Sequence, residues 1–313
     1  MTSQDMRVYI IAKKYYVEHM KQSEIAKDLQ TSTMYISRML KRAEKEGVVI
    51  IQVQSPDNID LKLSSQVKKK FSQLRDVLVV QNGNVDGERV IIGKIAAEYV
   101  KSLMYSGCVL GVSWGRTLFE FSRAIEPSDE FNDVKVLQMS GGFLCENQAG
   151  MMPSNLVGVV SERMHGTPYF LNAPLIVANK EVRDTLLLNV SIKHLQESAG
   201  KMDIALYGLS MLSSNSTMTS VGIINGKDIE ELKKAGAIGD VLGYFLDRDG
   251  RIVNWSKKEC YMGVPLEVAA TAKYAIIVAT GPEKAPILKV AIEKKYCNTL
   301  IISSDLAIKL LEE

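Results

Sequence analysis

Four short stretches of this 313-residue chain carry residue types that could hold an anion and a polyhydroxylated group. In GVSWGRTL (111–118) an apolar run ends at Ser113, Gly115 permits a tight turn, and Arg116 and Thr117 open a helix. The first N–H groups of a helix lack intrahelical acceptors, and with the helix dipole they favour an anion. Thr117 adds a hydroxyl donor and Arg116 a charge. The GxxxxGK[ST] pattern of a nucleotide P-loop is absent, and an ordinary strand-to-helix turn would read the same way. In QMSGGF (138–143), Ser140, Gly141 and Gly142 follow a second apolar run, where the missing side chains would let a ligand approach the backbone. GAIGD (236–240) offers Asp240 as an acceptor for sugar hydroxyls, or equally as a turn or N-cap aspartate. In GYFLDRDG (243–250), Asp247 and Asp249 make an Asp-rich turn ending at Gly250. ATGPEKAPIL (279–288) turns at Gly281 and opens a helix at Lys284, whose ammonium could neutralise a phosphate.

A different chemistry sits near the N-terminus. Residues 6–19 read as a helix with Ile10, Ile11, Tyr15, Tyr16 and Val17 on its buried side. QSEIAKDL (22–29) follows as a short helix, capped by Ser23, with Ile25, Ala26 and Leu29 facing inward; a small residue at Ala26 lets two helices cross closely. Gln30, Thr31 and Ser32 form a turn, Ser32 caps a helix from Thr33 to Glu46, and Gly47 ends it. Ile36, Met39, Leu40 and Ala43 make the apolar stripe of that helix. Thr33, Met34, Tyr35, Ser37, Arg38, Lys41 and Arg42 lie mostly off it. VVIIQV (48–53) reads as a strand. The order describes a helix-turn-helix with a small wing. The DNA-facing set is then Ser32, Thr33, Met34, Tyr35, Ser37, Arg38, Lys41 and Arg42, with Arg38 able to take a guanine bidentately and Lys41 and Arg42 placed for phosphates. A plain three-helix bundle would show the same spacing.

These sites need scaffolding, and the remaining pattern supplies it. Ser55-Pro56-Asp57-Asn58 marks a boundary. Ile59, Leu63, Val67, Phe71 and Leu74 then form one face of a helix, docked on its own domain or on a second subunit. Apolar runs at 77–81, 108–113, 134–139, 204–209, 275–280 and 299–303 alternate with helical segments at 88–105, 117–125, 155–164, 285–295 and 304–312. This alternation predicts an α/β fold with a parallel-rich sheet, whose ligands sit beyond the carboxyl ends of the strands. The expected division is 1–54 for the helix-turn-helix, 55–76 for a linker helix and 77–313 for an effector domain.

Composition bounds the reading. The chain is 46% hydrophobic and 24% charged, with net charge +2. Residues 1–54 hold nine Lys or Arg against six Asp or Glu, about +3, leaving about −1 for the rest; an ordinary solvated surface would show the same bias. No apolar run approaches the roughly 18 residues that span a bilayer, and MTSQDMRVYIIAKKYY lacks the features of a secretory signal. Cys108, Cys145, Cys260 and Cys297 are widely spaced, there is no CxxC, and only His19, His165 and His194 occur. A cytoplasmic protein without disulfide framework, metal, cofactor or membrane partner is expected.

YYVEHMKQSEIAKDLQTSTMYISRMLKRAEKEGVVIIQV resembles the helix-turn-helix of the SorC family of sugar-responsive regulators, grouped with DeoR-type regulators. The match rests on Gln22, Glu24-Ile25-Ala26, Leu29, Ser32, Ile36-Ser37-Arg38, Leu40 and Gly47-Val48. The GVSWGRTL, double-glycine, GAIGD–GYFLDRDG and strand–Gly–Lys stretches, in this order, resemble the family's effector domain. The resemblance implies a winged-helix-like head, and a Rossmann-like effector domain similar to sugar-phosphate isomerases and deaminases. It also implies an operator DNA partner, a sugar or sugar-phosphate effector, and a dimeric or tetrameric homo-oligomer. It carries effector contacts onto Ser113, Gly115, Arg116, Thr117, Ser140, Gly141, Gly142, Asp240 and Lys284. Four departures stand out. Gln30-Thr31 replaces the family's glycine turn, Arg116 replaces a small residue, and Pro282 removes an N–H donor. Ser140 stands where deoxyribonucleoside-type members carry an imine-forming lysine, so covalent capture there is excluded.

Two other functions fit the same residues. In one, the chain is a sugar-phosphate isomerase or deaminase with an accessory head, using Asp240 as base; His165 reads as a loop residue, and no catalytic residue is assigned. In the other, the α/β domain only oligomerises a constitutive DNA-binding scaffold.

Overall fold

The computed structural model describes residues 3–50, 58–81, 85–144, 149–214 and 216–313. The chain forms two compact units, Met1–Ser55 and Pro56–Glu313.

In the first unit, α1 (Ser3–Ala12) runs into a π-helical turn at Lys13–Val17, followed by α2 (Gln22–Asp28) and α3 (Thr33–Lys45). Its core is Val8, Ile11, Ala12, Ile25, Ala26, Ile36, Met39, Leu40 and Ala43. The apolar stripe expected on α3 is therefore buried as a whole. The first helix is rotated from expectation. Val8, Ile11 and Ala12 point inward at i, i+3, i+4 spacing, and Ile10 and Val17 are exposed. The π turn shifts the phase that a continuous helix would have kept. Ser23 is not the cap of α2; the backbone N–H of Lys21 donates to Glu24 Oε2 at 2.8 Å instead. Of the strand expected at 48–53, Val48 and Val49 form a bend, and residues 51–53 lie outside the described set, as do residues 55–57 of the boundary motif.

The second unit begins with α4 (Leu61–Lys70), β1 (Asp76–Val80), α5 (Val85–Leu103), β2 (Val109–Val112), α6 (Arg116–Ala124) and β3 (Lys135–Gln138). It continues with α7 (Pro153–Arg163), β4 (Thr167–Tyr169), α8 (Lys180–Leu187), α9 (Val190–Ala199), β5 (Ile204–Tyr207) and β6 (Leu209–Met211). Then come α10 (Thr217–Ser220), α11 (Gly226–Lys234), β7 (Gly239–Val241), β8 (Tyr244–Leu246) and α12 (Leu266–Ala270). It closes with β9 (Tyr274–Ala279), α13 (Ala285–Glu293), β10 (Thr299–Ser303) and α14 (Ser304–Glu312).

The seven-stranded sheet has order β1-β10-β9-β5-β2-β3-β4, with every pairing parallel. Both its faces are covered, which is why its strands read as unbroken apolar runs. Along β9, Ile276 and Val278 pack on one core with α5, α6 and α7. Ala275, Ile277 and Ala279 pack on the other with α4, α9, α13 and α14. On α4, Val67 and then Phe71 and Leu74 belong to that second core, and Lys70 Nζ donates to the Leu311 carbonyl at 2.8 Å. The strands missed by periodicity are the three-residue ones: β4, and the antiparallel sheet β6-β7-β8. They are too short for a period-2 signal.

Helices α5 and α6 meet at Gly93. A Cβ there would fall 2.6 Å from Glu120 Cβ and 2.7 Å from the Glu120 carbonyl carbon. Alanine is the better helix former by about 1 kcal/mol, but here it must push two helix backbones apart. Gly93→Ala is expected to destabilise this unit by about 2 kcal/mol, read as a lower urea midpoint at unchanged m-value. An unchanged midpoint would show that the helices yield freely.

Candidate functional site

Winding reverses between β2 and β5. From β2 the chain steps outward to β3 and β4; on the other side lie β5, β9, β10 and β1. A crevice beyond the carboxyl ends at such a reversal is where open α/β sheets take ligands. A cavity of about 150 Å³ lies there, walled by the segments after β2, β5 and β9 and by the β7–β8 hairpin.

Each wall has a local cause. After β2, Gly115 adopts φ +137° as the N-cap of α6, a conformation open to glycine, and the first residues of α6, Arg116, Thr117 and Leu118, line the cavity. After β9, Gly281 at φ +96° bends the chain so that Lys284 lines the opposite wall. Asp240 sits in β7, paired with Ser210 of β6. Its carboxylate accepts hydrogen bonds from the Ser210 hydroxyl and from the Gly243 N–H at 3.0 Å.

The hairpin turn uses Leu242 at φ +55° and Gly243 at φ +87°. Successive positive φ values suit a two-residue turn between antiparallel strands, but a leucine there is strained. The Gly243–Asp240 hydrogen bond and one from the Tyr261 hydroxyl to the Leu242 carbonyl, 2.7 Å, hold it.

The charges of the cavity are held against their own solvation. Burial pushes the Asp240 carboxyl up to about 6, opposed by its hydrogen bonds and by Lys284. Burial pulls Lys284 down to about 8; Arg116 and Arg89 push the same way, and Glu283 and Asp240 oppose. Arg116 is lowered by burial and by Arg89. Three cations, Arg89, Arg116 and Lys284, thus share the cavity with two carboxylates, Asp240 and Glu283, and the excess of positive groups favours an anion.

Of the residues singled out in the sequence, Ser113, Gly115, Arg116, Thr117, Asp240 and Lys284 line this cavity. Ser140, Gly141 and Gly142 do not. Ser140 is fully buried, with its Oγ 3.3 Å from Ser113 Oγ and 3.4 Å from the Tyr261 hydroxyl. The double glycine admits the chain's own backbone. A Cβ at Gly141 would fall 2.6 Å from the Pro174 carbonyl oxygen, and Gly142 N–H donates to Ala173 at 2.8 Å. Sequence reasoning missed Arg89 on α5, Ser210, and the strained Leu242. Arg89 follows the carboxyl end of β1, so the strand-end rule that found Arg116 would have found it. Ser210 and Leu242 carry no sequence signal, because β6, β7 and β8 are three residues each. His165 is remote from the cavity wall, at 2.9 Å from Asp129 on the surface.

In the first unit, Ser32 caps α3, its Oγ accepting from Tyr35 N–H at 3.1 Å. Thr33, Met34, Arg38 and Lys41 are exposed, and Tyr35 and Ser37 half-buried. Arg42 has carboxylates of its own, Glu46 at 2.7 Å and Asp5 at 3.6 Å, so its charge is compensated within the head. Gln30 takes φ +50° in the turn between α2 and α3. A glycine would relax that conformation, and Gln30→Gly is expected to stabilise the head by about 1 kcal/mol. A melting temperature that stays put or falls would show the Gln30 side chain contributing as much as its backbone costs.

The family model named "Putative sugar-binding domain" matches residues 56–312. Similar curated proteins include the deoxyribonucleoside regulator of Bacillus subtilis strain 168, 26% identical over 304 residues and 96% of each chain. The sorbitol operon regulator of Klebsiella pneumoniae is 24% identical over 312 residues and 99% of each chain. The transcriptional regulator LsrR of Escherichia coli K12 is 26% identical over 313 residues, 98% of this chain and 95% of that one. Among solved structures, the full-length Klebsiella sorbitol operon regulator superposes with TM-score 0.73 at 24% identity, over 99% of this chain and 100% of that one. A transcriptional regulator from Streptococcus pneumoniae TIGR4 gives TM-score 0.73 at 25% identity, over 80% and 96%.

Proposed function

Because this chain belongs to the SorC-type family of sugar-binding transcriptional regulators, we propose that its second unit binds a sugar phosphate and that occupancy of that cavity sets the affinity of its first unit for operator DNA. The observation that carries the effector reading is the cluster of Arg89, Arg116 and Lys284 around the N-terminus of α6. The cations and the α6 amides take the phosphate. Asp240, ionised at neutral pH, accepts from sugar hydroxyls beside the Ser210 and Ser113 hydroxyls.

Ser140 lies outside the cavity wall and has no amine, so no imine with the effector forms at that position. We read the unit as a sensor, because similar curated proteins are regulators and a shared fold does not transfer an activity. On the DNA side, Ser32, Thr33, Met34, Tyr35, Ser37, Arg38 and Lys41 of the α3 end face the groove, with Arg38 on a base edge and Lys41 on a phosphate. A homo-oligomer, dimer or tetramer, would present two heads to two half-sites one helical repeat apart, so ligand-driven rotation of subunits changes the fit.

A thermal-shift screen of free and phosphorylated sugars tests the sensor. A phosphorylated sugar at 100 times its Kd adds about 2.7 kcal/mol to the native state, and its unphosphorylated form should give no comparable shift. The same shift from both forms would remove the phosphate from the reading.

A further inference from the structure

Arg7 lies on α1, outside the helix assigned to DNA, and is exposed. Its guanidinium carbon is 5.5 Å from the centroid of the Tyr35 ring, on the first turn of α3. The Arg38 guanidinium carbon is 5.4 Å from the same centroid. One aromatic ring thus holds two cations, drawn by its quadrupole, at the end of α3 that the capping hydroxyl of Ser32 starts. Arg7 also reaches the turn, with Nη2 at 3.5 Å from the Leu29 carbonyl at the end of α2.

The contrast with Arg42 is informative. Arg42 is one turn further along α3 and is compensated by Glu46 and Asp5. The two guanidiniums at Tyr35 instead share an aromatic ring. A phosphate is a natural counter-charge for either, since a guanidinium fork fits phosphate oxygens. Stacking also restricts the rotamers of Arg38 before DNA arrives, which lowers the ordering cost of its contact.

Resting on the DNA-binding reading above, we infer that Arg7 is a backbone-phosphate contact of the operator complex and that Tyr35 is a positioning residue, holding Arg7 and Arg38 in one cationic clamp. Helix α1 thereby joins the interface, and Arg7 supplies the phosphate charge that Arg42 spends inside the head. Tyr35 acts through its ring.

The test uses the full chain and a fragment of its own promoter, with affinity measured across a salt series. Arg7→Gln removes the charge and keeps a polar side chain on the exposed face of α1. It should leave the melting temperature unchanged and weaken binding about tenfold at low salt. It should also lower the slope of log affinity against log salt by about 1, equally on operator and on unrelated DNA. Tyr35→Phe, which keeps the ring, should keep the salt slope that Tyr35→Leu loses. Tyr35→Leu, which keeps an apolar side chain but no ring, should lose discrimination at the base read by Arg38 and lower the salt slope like Arg7→Gln. An unchanged slope in Arg7→Gln, with wild-type binding intact, would overturn the clamp while leaving the DNA reading standing. No binding by the wild type at low salt would remove the DNA reading itself. A slope change accompanied by a lower melting temperature in Arg7→Gln, and not restored by Arg7→Lys, would assign Arg7 to the turn and overturn the phosphate contact.

Discussion

Replacing Lys284 with methionine is expected to weaken binding of a phosphorylated sugar by about 10- to 100-fold and to leave operator affinity without effector unchanged. The loss corresponds to one charge-assisted contact, about 1.5–3 kcal/mol. Methionine keeps the apolar stem against the cavity wall, so the fold should tolerate it. The wild-type protein carries a pH signature that the variant lacks. Lys284 in the ligand-free native state titrates at about 8, below its ordinary 10.5. Above pH 8 the free protein loses the ammonium that meets the phosphate, and affinity should fall by up to about tenfold per pH unit until the pKa of the complex is reached. The phosphate stays dianionic throughout that range, its second pKa being about 6, so the limb belongs to the protein. Calorimetry at pH 7 and pH 9 with both proteins checks this. Equal pH dependence in wild type and Lys284→Met would place the titration elsewhere.

The same shifts dictate how ligand-free stability varies with pH. The folded pKa of Lys284 is depressed, so between about 8 and 10.5 the unfolded chain binds more protons, and this residue favours the native state increasingly as pH rises through that window. Asp240 is raised from 3.8 to about 6, so its contribution is fullest below about 3.8 and is lost as pH rises through 6. At neutral pH both groups are held in the form the fold disfavours. That is the state of a site waiting for a counter-charge.

On the DNA side, Arg38→Ala is expected to weaken operator binding by about 10- to 100-fold and to affect unrelated DNA far less. A bidentate arginine–guanine contact is worth about 1–3 kcal/mol of discrimination. Competition binding against a panel of single-base operator variants would show wild type penalised at one position and Arg38→Ala indifferent there. A variant that loses affinity equally for every sequence would make Arg38 a phosphate contact instead.

The parallel sheet was legible because its central strands are buried on both faces and read as continuous apolar runs. The ends of β2 and β9 were legible because a glycine between an apolar run and a helix leaves few other conformations. The double glycine at 141–142 looked the same and meant something else: its missing side chains make room for the Ala173–Leu175 backbone. A sequence shows that something approaches closely, and tertiary packing decides whether it is ligand or chain. Ser210 comes to the cavity only through the pairing of β6 with β7, strands far apart in sequence and too short to read. In the head, the stripe of α3 was plain from spacing. The phase of α1 was not, since tertiary contacts bury Val8, Ile11 and Ala12 and leave the equally apolar Ile10 exposed.

The account stands on linkage between the cavity and the groove-facing helix. The direct measurement is operator affinity with and without the sugar phosphate that gives the largest thermal shift, paired with that ligand's affinity with and without operator DNA. Linkage requires the two ratios to be equal, and a coupling of about 1–3 kcal/mol makes them about 5- to 150-fold. Saturating ligand that leaves operator affinity untouched would contradict the account, however tightly each partner binds alone.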